Sequence, residues 1–129
     1  MYKRKISLDL ACGVHLTREV LAGKWKVGLL YYIAQGARRP GELQKKLPGA
    51  TRRVVHLQLN ELEAHELISK TVFAETPPRT EYHLAPLGES LLPVITHLGQ
   101  WGEAHRAQLE RVLATASSPA DSGPLLPAR

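Results

Sequence analysis

Residues 40–66 read PGELQKKLPGATRRVVHLQLNELEAHE, and this stretch decides the fold. The pattern predicts a short helix beginning at Pro40, a turn at Pro48-Gly49 and a longer helix over residues 52–65, with Thr51 as its N-cap. The longer helix has a predicted buried stripe at i, i+4 and i+7, formed by Val55, Leu59 and Leu62. Two helices joined by a short turn are typical of a helix–turn–helix.

The longer helix carries its charges against its own macrodipole. Arg52 and Arg53 lie at its positive N-terminal end, and Glu61, Glu63 and Glu66 follow at its negative C-terminal end. Each such placement costs ~0.3–1 kcal/mol at an exposed position. A polyanion bound at the N-terminal end would offset that cost, so the pattern indicates a nucleic-acid partner.

Composition indicates one ordinary folded domain with a basic surface. The 129 residues carry a net charge of +5, and 43% of them are apolar. Between residues 38 and 58 there are six basic residues and one acid, Glu42, so the excess charge is concentrated on the predicted helix pair. Four of the basic residues are predicted to contact phosphates rather than bases: Arg38, Arg39, Lys45 and Lys46.

Several classes of protein are not predicted. The single cysteine, Cys12, cannot form an intramolecular disulfide and favours a reducing, cytoplasmic compartment. No apolar run approaches the ~18 residues that would span a membrane, and no signal peptide is predicted. The six histidines form no recognised metal-ligand motif, and no cofactor-binding loop or catalytic constellation is present. We therefore predict a protein that is not an enzyme and uses no cofactor or metal.

Elements on either side of the helix pair complete a predicted winged helix–turn–helix, a mainly α fold with a small β component. A short helix over 17–22, an apolar helix over 25–35 and a very short strand over 37–39 are predicted upstream. Downstream, residues 68–75 and 80–84 are predicted to pair as a β-hairpin around a Pro-rich turn. In this architecture the second helix of the pair enters the major groove, and the hairpin forms the wing.

The order of several motifs resembles one family. Cys12 lies twelve positions before Lys24, and the motifs are GKW (23–25), GELQKKLPG (41–49), LNELEAHELI (59–68), PPRTEYHLAPLG (77–88) and WG (101–102). In this order and spacing they closely resemble the HxlR-type transcriptional regulators, relatives of the MarR group, over about residues 12–102. The sequence departs from the family pattern at Gly13, where proline is usual, and at Thr51, where serine is frequent.

The resemblance implies a bacterial regulator that binds operator DNA as a homodimer, with N- and C-terminal helices at the dimer interface. We then expect dimerisation helices over about 8–22 and 87–114 around a DNA-binding core over about 24–86. These segments form one domain, 1–116, followed by a flexible tail over 117–129 that is rich in Pro, Ser and Gly. The expected interface residues on the long C-terminal helix are Leu91, Ile95, Leu98, Trp101 and Leu109.

The resemblance also implies that Cys12 senses oxidants or electrophiles. Four cationic or titratable neighbours in sequence could favour its thiolate: Lys3, Arg4, Lys5 and His15. The alternative is an unreactive thiol at a dimer interface. With no second cysteine in the chain, oxidation would give an intersubunit disulfide, a mixed disulfide with a small thiol, or a sulfenic acid.

The predicted DNA contacts lie on the longer helix and at the tip of the wing. Arg52, Arg53 and His56 are on the outward face, where arginine can bind guanine edges or phosphate. Thr51 could contact phosphate as well as cap the helix. Arg79, beside two prolines, is predicted to point outward towards the minor groove or the backbone. The alternative is an ordinary solvated surface.

We therefore predict a homodimeric DNA-binding transcriptional regulator, a repressor whose near-palindromic operator has half-sites ~34 Å apart. The predicted partners are double-stranded operator DNA, a second copy of the chain and an oxidant or small-molecule effector, with no membrane. One alternative is a winged-helix interaction module that binds an acidic protein instead of DNA. Another is a ligand-responsive regulator with no thiol sensing, in which Trp25 and Trp101 are candidate pocket residues.

Overall fold

The computed structural model describes residues 12–116. Within them the order is α1 (Gly13–Leu21), α2 (Lys26–Ala34), α3 (Pro40–Lys46), α4 (Arg52–Ala64), β1 (Ile68–Phe73), β2 (Arg79–Leu84), α5 (Pro86–Ala104) and α6 (Arg106–Ala116). The chain divides into two compact units, Met1–Leu92 and Pro93–Arg129. The first unit contains α3 and α4 as the helix pair and β1–β2 as the wing, which confirms the winged helix–turn–helix. The predicted tail at 117–129 lies outside the described residues.

One apolar core joins α2, α3, α4 and the wing. Its members in the first unit are Leu29, Leu30, Ile33, Leu43, Leu47, Ala50, Val55, Leu59, Leu62, Leu67, Ile68 and Tyr82, all buried. The stripe predicted for α4 is therefore confirmed. Burial of this stripe fixes which face of α4 is turned to solvent.

The turn between α3 and α4 has the predicted chemistry. Gly49 adopts φ 99°, a conformation that residues with a side chain rarely adopt. Thr51 is the N-cap of α4, because its Oγ1 accepts a hydrogen bond from the Val54 N–H at 3.1 Å. The turn and the cap together set where α4 begins.

The wing is a two-stranded antiparallel hairpin in which Ile68 is opposite Leu84 and Phe73 is opposite Arg79. The very short strand predicted over 37–39 is wrong. In this segment the Arg38 carbonyl accepts one hydrogen bond from the Tyr82 N–H, at 2.8 Å, and no ladder forms. A single backbone bond is enough to attach the wing to this loop but not to extend the sheet.

Two helices have bounds that differ from those predicted. The short helix predicted over 17–22 begins earlier, at Gly13, because the Leu16 N–H already donates to the Cys12 carbonyl at 3.0 Å. The long helix predicted over 87–114 is interrupted at His105. Its N–H is shared between the carbonyls of Trp101 (3.2 Å) and Gly102 (3.3 Å), and its own ring Nδ1 lies 2.9 Å from the Trp101 carbonyl oxygen. The side chain thus competes with the helical hydrogen bond at the junction of α5 and α6.

The end of α4 is a Schellman motif with an unusual residue at its left-handed position. The Leu67 N–H donates to the Leu62 carbonyl at 3.0 Å and the Glu66 N–H donates to the Glu63 carbonyl at 2.9 Å. Glu66 has φ 64°, where glycine is the usual residue. A side chain in this conformation is strained.

Glu66→Gly is therefore expected to raise the free energy of unfolding by ~0.5–1 kcal/mol, because glycine adopts this conformation without steric cost. The matched control Ala64→Gly, inside α4, should lower it by about 1 kcal/mol. Glu66→Gln keeps the Cβ and removes the charge, and should change it by only ~0.3 kcal/mol. Urea denaturation measures all three, and a Glu66→Gly protein less stable than wild type would contradict the strain at this position.

Candidate nucleic-acid interface

The orientation of α4 is fixed against α2 by the ion pair of a buried lysine and by a side-chain hydrogen bond. Lys26 Nζ lies 2.9 Å from Glu61 Oε1, and only 3% of the Lys26 side chain is exposed. Gln58 Oε1 accepts a hydrogen bond from the Trp25 N–H at 2.9 Å, at the start of α2. A buried ammonium group needs a nearby counter-charge, so α4 has a defined register against α2.

Two of the three acids at the C-terminal end of α4 have partners on other elements. Glu61 neutralises Lys26, and Glu63 Oε1 lies 3.9 Å from Lys70 Nζ on β1. Neither partner could be identified from the sequence, because both lie on other elements. The cost of placing carboxylates at a helix C-terminus is thus offset within the protein.

The basic end of α4 has no such compensation. Arg52, Arg53 and His56 are all exposed. No carboxylate of the described residues forms an ion pair with either arginine, whereas the guanidinium groups of Arg79 and Arg106 each contact two carboxylates. The positive end of the α4 dipole and two arginine side chains therefore face solvent together, as an anion-binding surface requires.

The cations of α3 extend this surface. Lys45 and Lys46 are exposed, and Lys46 Nζ lies 5.9 Å from the centre of the Tyr32 ring. An open groove of about 560 Å³ runs between α3 and the start of α4. Lys45 and Arg52 both line it, so the structure brings these two predicted contacts to one groove.

Glu42, the one acid in this basic segment, caps the start of α3. Its Oε1 accepts hydrogen bonds from the N–H groups of Arg39 and Arg38, each at 3.0 Å. These two hydrogen bonds lower the pKa of the Glu42 carboxyl, and the bond from Arg39 has the larger effect. The carboxylate therefore caps α3, and leaves Lys45 and Arg52 without an ion-pair partner among the described residues.

Arg38 differs from the other predicted phosphate contacts. Its guanidinium Nη1 donates to the Ile33 carbonyl at 3.3 Å, near the C-terminal end of α2, and the residue is half-buried. Here the positive charge stabilises the negative end of the α2 dipole. A DNA contact by Arg38 stays a prediction, and it would compete with this bond.

Arg79 does not point outward from the tip of the wing, so that expectation was wrong. It is the first residue of β2, and its guanidinium lies 3.0 Å from Glu75 and 2.9 Å from Glu81. The group also stacks 4.0 Å from the centre of the Phe73 ring. Two carboxylates and an aromatic ring hold the side chain against the hairpin, and the two prolines that precede Arg79 give no sign of these contacts. Contact of Arg79 with DNA stays a prediction.

Cys12 is the residue before α1 and is half-buried. Its backbone carbonyl, not its side chain, makes the N-cap hydrogen bond. Three of the cations expected near it, Lys3, Arg4 and Lys5, lie outside the described residues.

The predicted interface residues on α5 and α6 differ in exposure. Leu98 and Trp101 are exposed, Leu91 and Leu109 are half-buried, and Ile95 is buried. On α1, the apolar residues Val14 and Leu16 are also exposed, with 74% and 47% of their surface accessible. The dimer interface itself stays a prediction.

Within residues 12–116, no cluster of three His, Cys, Asp or Glu side chains is arranged to hold a metal ion. None of the helices in this part of the chain combines the length and apolar character needed to cross a membrane.

A winged helix–turn–helix whose second helix presents exposed arginines at its N-terminal end is typical of DNA-binding proteins. The chain belongs to the HxlR-like helix-turn-helix family, whose family model matches residues 20–110. It is 37% identical over 120 residues to YdeP of Bacillus subtilis, an uncharacterised HTH-type transcriptional regulator, covering 88% of this chain and 94% of YdeP. It is 40% identical over 98 residues to YkvN of the same organism, another such regulator, covering 76% and 83% of the two chains.

Solved structures give the same fold. The redox regulator HypR in its reduced form matches with a TM-score of 0.73 and 37% identity, over 78% of this chain and 99% of HypR. The oxidised form matches with a TM-score of 0.68 and 38% identity, over 72% and 96% of the two chains. The chain is thus similar to a regulator known in two redox forms.

Replacing Glu61 of the Lys26–Glu61 pair should cost more stability than replacing Lys26. Glu61→Gln leaves a buried ammonium without its counter-charge and is expected to lower the free energy of unfolding by about 2 kcal/mol. Lys26→Met fills the same space with an apolar chain, and leaves Glu61, which is 47% exposed, able to be solvated. It should cost less than about 1 kcal/mol. Urea denaturation at pH 7 compares them, and a larger loss for Lys26→Met would contradict the assigned role of the pair.

Proposed function

We propose that this transcriptional regulator binds a near-palindromic operator as a homodimer in the cytoplasm and acts as a repressor. The N-terminal end of α4 from each protomer enters one major groove, with the two grooves ~34 Å apart on one face of the duplex. One observation carries the proposal. Arg52 and Arg53 are exposed at the positive end of α4 and form no ion pair with a described carboxylate.

The roles of the side chains follow from their chemistry. Arginine can donate two hydrogen bonds to O6 and N7 of guanine, or bind phosphate, so Arg52 and Arg53 supply both specificity and affinity. Lys45 and Lys46 on α3 bind the adjacent phosphates without selecting a base. The Thr51 hydroxyl accepts the capping bond and keeps its own proton available for a phosphate oxygen.

Dimerisation is supported by apolar side chains that the single chain leaves exposed. They are Val14 and Leu16 on α1, Leu98 and Trp101 on α5, and Leu113 on α6. Apolar residues exposed on α1, and separately on α5 and α6, indicate helix faces that another protein covers. A second copy of the chain, related by a two-fold axis, would cover these faces and at the same time match the symmetry of a palindromic operator.

Regulation by oxidants is proposed through Cys12. The chain is 37% identical to the redox regulator HypR, and Cys12 is the one cysteine of this sequence. Two Cys12 thiols, one from each protomer, would lose two protons and two electrons to hypochlorite or a quinone and form one intersubunit disulfide. Such a bond next to α1 would change the separation of the two α4 helices and thereby the affinity for DNA.

The Arg52→Ala/Arg53→Ala double variant tests the binding surface. Its affinity for an operator selected from genomic fragments should fall at least about 100-fold, because each protomer loses two charge-assisted contacts. The slope of log K against log salt should become less negative by about 2–4, as fewer counterions are released. Electrophoretic mobility shift or fluorescence anisotropy measures both quantities.

Arg106→Gln/Arg111→Gln is the matched control. It removes an equal number of positive charges, two, but from α6, and should change the affinity by less than about fivefold. Wild-type affinity and an unchanged salt slope in the α4 double variant would contradict the proposed surface. If wild type bound no DNA fragment but bound an acidic protein through α4, the interaction-module alternative would replace the proposal.

Cys12→Ser tests the thiol. Hypochlorite or a quinone should weaken operator binding by wild type at least about tenfold, with a dimer band on a non-reducing gel, and dithiothreitol should restore both. The serine variant should bind with unchanged affinity before and after oxidant. Equal loss of binding in the two proteins would remove Cys12 from the mechanism.

A further inference from the structure

The exposed face of α4 contains one large apolar side chain, Leu57. Its surface is 54% accessible, whereas the other leucines of α4, Leu59 and Leu62, are fully buried. A single exposed leucine is common on protein surfaces and carries no meaning by itself. Its position on the helix, however, places it among the residues proposed to meet DNA.

Helical geometry puts Leu57 beside Arg53. The two residues are four apart, so they are neighbours on the same face one turn from each other. At 100° per residue, Leu57 is more than 100° from each member of the buried stripe, Val55, Leu59 and Leu62. Leu57 therefore lies on the solvent side of α4, opposite the core, and one turn from the exposed side chain of Arg53.

We propose that Leu57 contacts the C5-methyl group of a thymine in the major groove and thereby selects thymine at that position of the operator. The inference rests on the proposed function, because it requires α4 to enter the groove. The thymine methyl group is the one apolar feature that base pairs present there, and it suits an aliphatic side chain. Leu57 is thus a specificity-determining residue next to the arginines.

The position of the thymine follows from the spacing along α4. Four residues of helix span ~6 Å, which is about two base-pair steps of 3.4 Å. Leu57 should therefore contact a thymine within about two base pairs of the base or phosphate bound by Arg53. A cytosine there would be selected against, because cytosine lacks the C5-methyl group that Leu57 contacts.

Uracil substitution tests the contact with the unmodified protein. Deoxyuridine replaces each operator thymine in turn, which removes only the C5-methyl group and keeps the base pair. Wild type should lose about fourfold in affinity when the contacted thymine of one half-site is replaced, and about fifteenfold when both are replaced. The other thymines, scanned in the same way, should have smaller effects.

Leu57→Ala identifies the side chain that makes the contact. This variant should bind the thymine and deoxyuridine operators with equal affinity, because the partner of the methyl group is gone. Leu87→Ala is the matched control, since Leu87 is a leucine of nearly equal exposure, 52%, on α5, and it should keep the wild-type discrimination. Thermal melting of the three proteins checks that the fold is unchanged.

Failure of the thymine contact can be distinguished from failure of the proposed DNA binding. If wild type binds the operator through Arg52 and Arg53 but is indifferent to every deoxyuridine, the thymine contact is wrong while the proposed function stands. If a deoxyuridine weakens wild type and Leu57→Ala to the same degree, the methyl group is contacted by another residue. If wild type binds no DNA, both the proposed function and this inference are overturned.

Discussion

A buried lysine determines how α4, the proposed recognition helix, is held. Lys26 on α2 is almost completely removed from solvent, and Glu61 of α4 supplies its counter-charge at 2.9 Å. Gln58, one turn earlier on α4, accepts a hydrogen bond from the Trp25 N–H at the start of α2. Since an isolated buried charge is costly, α4 cannot rotate or slide against α2 without losing this arrangement. The apolar stripe gives α4 its burial, and these polar contacts give it its register.

The two ends of α4 differ in how their charges are neutralised. Glu61 and Glu63 near its C-terminal end contact lysines of α2 and β1, so the protein itself offsets their unfavourable place in the helix dipole. Arg52 and Arg53 at the N-terminal end form no ion pair with a described residue, although Arg79 and Arg106 each contact two carboxylates. The chain belongs to the HxlR-like helix-turn-helix family, and operator DNA is the partner that we propose for these two arginines.

Local signals predicted most of the fold, and long-range pairings could not be predicted. Apolar spacing gave the buried face of α4, and Thr51 was identified as its cap because capping depends on neighbouring residues alone. The partners of Glu61 and Arg79 lie on other elements or depend on the exact path of the wing, so one was missed and the other was given the wrong orientation. The interruption at His105 depends on a ring hydrogen bond that apolar periodicity does not contain.

The most direct test of the central claim is to find which end of α4 meets DNA. Protein labelled with ¹⁵N would be titrated with a duplex of about 20 base pairs that contains the selected operator. We expect the largest shifts at the amides of residues 51–57 and at the side chains of Arg52 and Arg53, with little change at Glu61 and Glu63. Shifts concentrated at the acidic end of α4, or absent from α4 while DNA is bound, would contradict the claim that its N-terminal arginines form the DNA-binding surface.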